Sequence, residues 1–362
     1  MKLLVTLVLL FSVTDLEAFP TNIRQGYASC VSCHISPSGG GVLNSYGRAT
    51  AEEFLSTWHY KRESSFLHGL FREDPPVISI GGDVRYVSYS VTSAETQETV
   101  KKNFLMQRDI ELAFTIDSKL TFVTSIGLYG EEYDGPEYRR NYILYNFNDY
   151  FSFRIGRYFP AFGILFEDHT IATRKNLGWD QGRESYNIEI SARNERAEIF
   201  VTGIFGNAGA TDLTSKQGYK FSSEERGGSW RAAYYIGKRS QLGFSYLYTE
   251  NNREETRKEI YGPYMMLGFT RWLYLLAEAD WLGEGPLTST TGLPQRKIYS
   301  YSTLGVEAFR GMHFQGYHSR KDDVDVFGAK IQFFPRPHFE FTAAYETSDA
   351  GEVVTLLAHY YL

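Results

Sequence analysis

From residue 77 to its end the chain alternates. Ile110, Leu112, Phe114 and Ile116 share one parity, with Glu111, Ala113 and Thr115 on the other. The same pattern sets Phe151, Phe153 and Ile155 against Ser152, Arg154 and Gly156, and Leu242, Phe244, Tyr246 and Tyr248 against Gly243 and Ser245. It returns with Phe327, Ala329, Ile331 and Phe333, and again with Phe339, Phe341, Ala343 and Tyr345. A period of two is the period of a β-strand with one apolar and one polar face. Short turns recur at Asp117-Ser118, Asn148-Asp149, Asn194-Glu195, Lys238-Arg239, Thr270-Arg271, Arg310-Gly311 and Pro335-Arg336. Between them lie longer polar stretches at residues 91–102, 131–140, 159–183, 206–227, 250–258, 283–297, 319–325 and 347–351. Short turns at one rim and long loops at the other organise a transmembrane β-barrel. The segments number about sixteen, a size that encloses an aqueous lumen.

Composition agrees with this all-β reading. Aromatic residues make up 16% of the chain, with 27 Tyr, 26 Phe and 33 Gly, yet mean hydropathy is only −0.33. Aromatic girdles on alternating strands give that combination, whereas helical spans would raise the mean. A soluble sandwich would not need so large an outward aromatic set, and no blade repeat suggests a propeller. The net charge of −6, without a basic stripe, argues against nucleic acid as a partner.

Residues 1–18 read as a secretory signal, with Lys2 as the positive end, an apolar core at residues 3–13 and Leu16-Glu17-Ala18 before the cut. That core is too short to span a bilayer. An exported chain of this pattern is expected in the bacterial outer membrane, with both termini on the periplasmic side.

Residues 19–76 differ from the rest. They hold both cysteines of the chain in Cys30-Val31-Ser32-Cys33-His34. C-x-x-C-H is the spacing for covalent c-type haem attachment: two thioethers at Cys30 and Cys33, and His34 as the proximal iron ligand. A disulfide closing so short a loop adds little and leaves His34 unexplained. A zinc site lacks a second cysteine pair. Ser36-Pro37-Ser38-Gly39-Gly40-Gly41 forms a flexible turn, and Asn44 or Ser45 caps a short helix expected from about Gly47 to Trp58, with Phe54, Leu55 and Trp58 on one face. Pro75-Pro76 is a stiff boundary. A segment this small is marginal alone, so it must plug the lumen or cap one mouth of the barrel at residues 77–362.

The distal ligand is open. No methionine lies between His34 and Met106, which leaves His59 or His68 within the segment, or Met106 or His313 if the segment docks inside. Tyr27, Tyr46 and Trp58 are candidates to pack on the ring, and Arg48 to pair with a propionate. Two barrel loops stand out. Residues 159–183, with Phe162-Gly163, Asp168-His169, Arg174, Lys175, Asp180 and Arg183, have the mixed charge of a loop that folds inward. Glu131, Glu132, Asp134 and Glu137 form an acidic loop whose oxygens suit hard cations. No hydrolytic or phosphate-binding motif occurs.

A signal, one C-x-x-C-H, Tyr46-Gly47-Arg48 after it, and a sixteen-stranded barrel together resemble the fused outer-membrane cytochrome-porins of iron-oxidising bacteria. The sharp match spans residues 25–48. The resemblance implies one haem c on Cys30, Cys33 and His34, and electron transfer between the extracellular side and the periplasm. It also implies an external donor such as Fe(II), and a periplasmic carrier protein. Activity would be of the iron:cytochrome oxidoreductase type. The alternative is a solute-diffusion porin whose haem-bearing plug acts as gate or redox sensor.

Overall fold

The computed structural model describes residues 20–27, 29–61, 63–69, 77–117, 119–129, 137–166, 168, 170–179, 183–206, 225–288 and 296–362. Among these, sixteen antiparallel strands close into a single barrel. In order they are β1 (Ile78–Ser93), β2 (Thr99–Ile116), β3 (Leu120–Tyr129), β4 (Glu137–Asn146), β5 (Phe151–Tyr158), β6 (Ser185–Arg193), β7 (Ala197–Ile204) and β8 (Glu225–Ile236). Then follow β9 (Ser240–Asn251), β10 (Thr256–Gly268), β11 (Leu273–Pro286), β12 (Lys297–Phe309), β13 (Met312–Lys321), β14 (Val324–Arg336), β15 (Phe339–Ser348) and β16 (Gly351–Tyr361). Each strand pairs with its sequence neighbours, and β16 returns to β1 in register from Asp83↔Tyr361 to Ser93↔Gly351. Closure satisfies the backbone of every strand and leaves no open edge.

The two faces follow the sequence parity. Ile110, Phe151, Ile190, Val201, Leu304 and Leu356 point outward and are about half exposed, while their neighbours Glu111, Ser152, Glu189, Ser191 and Thr202 point into the barrel and are buried. Trp230, Phe244, Tyr261 and Trp281 stack in a row from β8 to β11, with ring centroids 5.6, 6.4 and 5.7 Å apart. An apolar outer wall with an aromatic row belongs in a bilayer. No helix among the described residues is long and apolar enough to cross a membrane.

The strict alternation of short and long connections does not hold. Residues 94–98, 252–255, 322–323 and 349–350 are tight connections, because the strands on either side run on through the polar stretches expected to be loops. β2 has 18 residues, against roughly 10 that suffice to cross. Its outer end from Thr99 to Asn103 is exposed and still pairs with β1, as in Thr92↔Thr99. Polar residues there mark strands outside the lipid layer rather than loops. The long connections cluster instead around residues 130–136, 159–184, 205–224 and 287–296.

Residues 20–27 and 29–55 lie within the barrel, against the rim of short turns. A 3₁₀ turn, Pro20–Gln25, packs Ile23 against Ala233, Tyr264, Met266, Tyr274 and Leu276 of the wall. Val42 enters a cluster with Ala113, Val123, Tyr142, Leu144 and Tyr158. A helix α1, Ser45–Thr50, begins two residues earlier than the sequence suggests, capped by Asn44, whose Oδ1 accepts from the Gly47 amide at 2.8 Å. It continues as one π turn, Ala51–Leu55, and stops there. Trp58 is thus outside the helix: its amide donates to the Pro335 carbonyl at 3.0 Å, its ring meets Phe333, and it is 61% exposed. The chain leaves the barrel over the β12–β13 turn, where Gly311, at φ +85°, makes room for the Leu55 carbonyl and Thr57. The leader, Pro75-Pro76, and Glu131, Glu132 and Asp134 fall outside the described residues, as does the side chain of Glu137.

Candidate functional site

The C-x-x-C-H stretch is built as a compact turn. Cys30–Ser32 form a 3₁₀ turn, and the Cys30 carbonyl accepts from the amides of Cys33 and His34 at 3.2 and 3.0 Å. His34 bridges to Leu43, and the Ile35 amide donates to the Val42 carbonyl at 3.1 Å, which closes the glycine-rich residues 36–41 into a loop. Asn44 ties the two ends together. Its amide donates to the Cys33 carbonyl at 2.8 Å, and its side-chain nitrogen donates to the Ser32 carbonyl at 3.1 Å. Gly47 lies against Cys33 so closely that any side chain there would collide with the Cys33 carbonyl.

Side chains of the wall hold this turn from all sides. Arg154 donates to the Ser36 and Ser38 hydroxyls at 2.9 and 3.0 Å and to Glu189 at 2.8 Å, with its guanidinium 3.7 Å over the Tyr158 ring. The Ser29 hydroxyl donates to Glu198, and the Val42 amide to Glu111, at 3.2 and 3.3 Å. Arg24 reaches the Arg271 carbonyl at 2.5 Å and pairs with Glu307.

From the opposite rim, the described residues of 159–179 fold inward. Phe162 and Ile164 are fully buried, and α2, Ala172–Lys175, carries Arg174 to Glu278 on β11 at 2.8 Å. The Gly163 amide donates to Ser245, the Ile164 amide to Glu278, and the Gly163 carbonyl accepts from Arg231, at 2.8, 3.1 and 2.7 Å. Loop and N-terminal segment meet where Ile164 and Ile23 share one cluster. Among the described residues, the lumen is thus occupied from both rims. Wall charges that would face water in an open pore are buried as pairs: Arg139–Glu184 at 2.6 Å, Arg154–Glu189 at 2.8 Å and Arg231–Glu198 at 2.5 Å.

Two internal cavities remain beside the C-x-x-C-H turn. One is lined by Cys33, His34, Leu43, Ala51 and Leu55 of the segment, and by Asp83, Arg85, His359 and Tyr361 of the wall. The other is lined by Ser36, Ser38 and Gly39, by Arg85, Arg139, Arg140, Arg154 and Arg174, and by Phe162 and Trp179 of the inward loop. They meet at Arg85.

The residues present fit a covalently attached haem. Cys33 and His34 line the first cavity, its segment side is apolar, and Gly39 offers no side chain beside the Cys30 sulfur, 3.1 Å from where a Cβ would stand. The adjoining arginines suit propionates. Arg48 is placed otherwise: it donates to the Leu43 carbonyl at 3.0 Å and supports the turn from behind. Tyr27 and Tyr46 join hydroxyls at 2.9 Å. His59 sits 3.9 Å from Glu52, and His68 meets the Tyr360 hydroxyl at 2.5 Å and the His338 ring at 4.7 Å; neither lines the cavity. His338, in the β14–β15 turn, has its ring nitrogens 2.8 and 3.2 Å from the carbonyls of Tyr361 and Glu63 and, when neutral, donates to one of them; burial together with neighbouring His68 lowers its proton affinity. Arg85 and His359 went unnoticed in the sequence. Both sit at inward parity, but only closure of β16 on β1 sets them side by side, as partners in register.

No protein-family profile and no curated relative matches the sequence. Solved structures do match in fold. A loop-deletion variant of OmpT, an outer membrane protein of Vibrio cholerae, aligns with a TM-score of 0.59 over 79% of this chain and 99% of that one, at 6% identity. OmpF of Salmonella typhi, in complex with daunomycin, aligns at 0.57 over 79% and 97%, with 10% identity. The outer membrane channel DcaP of Acinetobacter baumannii aligns at 0.55 over 79% and 97%, also with 10% identity. At such identities the likeness is one of fold: this chain is a porin-type barrel.

Proposed function

We propose that this chain is an outer-membrane cytochrome-porin: a barrel plugged by its own N-terminal segment, which holds one haem c at Cys30, Cys33 and His34 and passes electrons where it does not pass solutes. The observation that carries this reading is the position of Cys33 and His34. They line a cavity inside the barrel, between a segment that enters from one rim and a loop that enters from the other. Lipid blocks electrons and ions alike, and a filled barrel with a redox centre inside relieves only the first restriction.

When bound, the haem supplies a one-electron redox centre. The chain does the rest. Leu43, Ala51 and Leu55 exclude water from the cavity, and low polarity there tunes a potential. Arg85 presents a guanidinium to carboxylates at the junction of the two cavities. The buried Arg154–Glu189 and Arg231–Glu198 pairs hold the wall and segment in one geometry. Short turns face the periplasm in bacterial barrels, which sets the segment at the periplasmic mouth, near a soluble carrier protein. The opposite rim faces the extracellular donor or acceptor, Fe(II) being one candidate.

The second reading, a solute porin with a movable haem-bearing plug, is favoured by the fold likeness to outer membrane channels. The first test is common to both. Full-length protein expressed with a c-type maturation system is expected to keep a haem stain on a denaturing gel and to gain the mass of one haem. Cys30→Ser with Cys33→Ser should abolish both. A wild-type mass lacking only two hydrogens, as for a disulfide, refutes the haem.

A further inference from the structure

We propose that His359, on the strand that closes the barrel, is the second axial ligand of the haem iron, so that the iron is tied to the plug through His34 and to the wall through His359. This rests on the haem reading above.

Among the described residues, His34 and His359 are the histidines that line the cavity, and no methionine lines it. Histidine and methionine are the common partners of a proximal histidine in c-type haems, so the wall offers one side chain of the right chemistry. Among the described residues, the other histidines do not line this cavity. His318 pairs with Asp325 at 2.9 Å near the far rim. His313 is buried behind Phe334, whose ring stands 6.0 Å away and itself packs on Leu55. His59 and His68 lie outside the cavity lining.

His359 has one feature of a metal-binding imidazole, a carboxylate behind the ring, although a second carboxylate faces its other nitrogen. Its Nδ1 lies 2.9 Å from Glu340 Oε2. A carboxylate on one ring nitrogen fixes the tautomer and raises the basicity of the other, the usual outer-shell arrangement for ligating histidines. The other nitrogen, Nε2, lies on the cavity wall, 2.6 Å from Asp83 Oδ1 and 3.3 Å from the Arg85 Nε, and both must give way for it to meet iron. If Nε2 turns to iron, Asp83 keeps the Arg85 guanidinium and the Gln107 amide, both at 3.4 Å, and still accepts from nothing less than two donors. Arg85 is paired in register with His359, so a ligand and a propionate partner stand side by side on adjacent strands. A bulge between Arg85 and Tyr86 opposite β2 leaves Met106 unpaired there, and bulges re-aim side chains beside functional sites. His34 belongs to the first part of the chain and His359 to its last strand. The second Fe–N bond therefore forms only after β16 meets β1, and the colour of the haem reports barrel closure.

The test is spectroscopic, on purified full-length protein in detergent, by absorption and electron paramagnetic resonance of the ferric state. Wild type is expected to be six-coordinate and low-spin. His359→Ala should keep its covalent haem by stain and mass, become largely high-spin, and return to low-spin on adding imidazole. His359→Met should show the long-wavelength sulfur-to-iron band and a raised potential, and it keeps the test alive if the alanine variant fails to fold. A low-spin spectrum unchanged in His359→Ala, or a loss of low-spin signal in His313→Ala, His59→Ala or His68→Ala instead, overturns the proposal, as does a high-spin wild type. Absence of covalent haem from wild type refutes the underlying reading and is seen on the gel before any spectrum is taken.

Discussion

Arg24 is the sharpest place to ask whether the segment is locked into the barrel. Its side chain is fully buried, donates to the Arg271 carbonyl at 2.5 Å and pairs with Glu307, which is itself only 11% exposed. Removing one member of a buried ion pair costs about 3–5 kcal/mol, mostly by leaving the other charge desolvated and alone. Glu307 retains the Gly311 amide at 3.1 Å, which favours the lower end of that range. At about 1.4 kcal/mol per tenfold, a loss of about 3 kcal/mol raises the undocked fraction of the segment roughly a hundredfold. We expect Arg24→Ala to insert normally into planar bilayers, to show the heat-dependent gel mobility of a folded barrel, and to display open-channel events that are rare in wild type. Arg24→Met combined with Glu307→Leu removes the stranded charge and should recover much of the silence. A folded Arg24→Ala protein as quiet as wild type would refute the argument that this pair holds the plug, and a wild type that conducts steadily would refute the plug itself.

Three other perturbations probe separate links. Asn44→Ala removes the cap on Gly47 and the bond to the Ser32 carbonyl; it should cost about 1–2 kcal/mol and speed limited proteolysis within residues 29–58, with the barrel unaffected. Ile110→Arg puts a charge on the outer wall, where Ile110 is 54% exposed; refolding into vesicles from urea should weaken by about 2–4 kcal/mol if that position lies near the bilayer midplane, and hardly at all if the outer face meets water. His338 binds its proton more weakly folded than unfolded, through burial and His68. Its contribution is therefore complete above its unfolded pKa of about 6.5 and is lost as pH falls from there towards the lower folded value; amide protection near the β14–β15 turn, taken relative to the intrinsic exchange rate at each pH, should fall on acidification, and His338→Gln should remove that dependence.

The barrel was legible because lipid imposes a two-residue period that nothing else in the chain contradicts. Parity alone placed Ile110 outside and Glu111 inside, and counting segments gave sixteen strands. What misled was polarity: Thr99, Lys101 and Lys102 read as loop, yet they continue β2 beyond the apolar belt. The C-x-x-C-H turn and the Asn44 cap are local, within a few residues of each other, and so were readable. The inward fold of residues 159–179 was suggested by their charge, but Arg174 to Glu278 spans more than a hundred residues of chain and no local signal names that partner. The cavity wall is harder still. Arg85 and His359 are nearly the whole barrel apart in sequence, and only closure of β16 on β1 makes them neighbours.

The central claim is that electrons cross where solutes do not. It is tested most directly by reconstituting haem-loaded protein into liposomes that contain a trapped electron acceptor and a trapped small dye, then adding a membrane-impermeant reductant outside. The account predicts reduction of the acceptor with the dye retained, and loss of that reduction on replacing His34. Reduction that appears only in step with dye leakage would contradict it, and would leave a solute pore in place of a conduit.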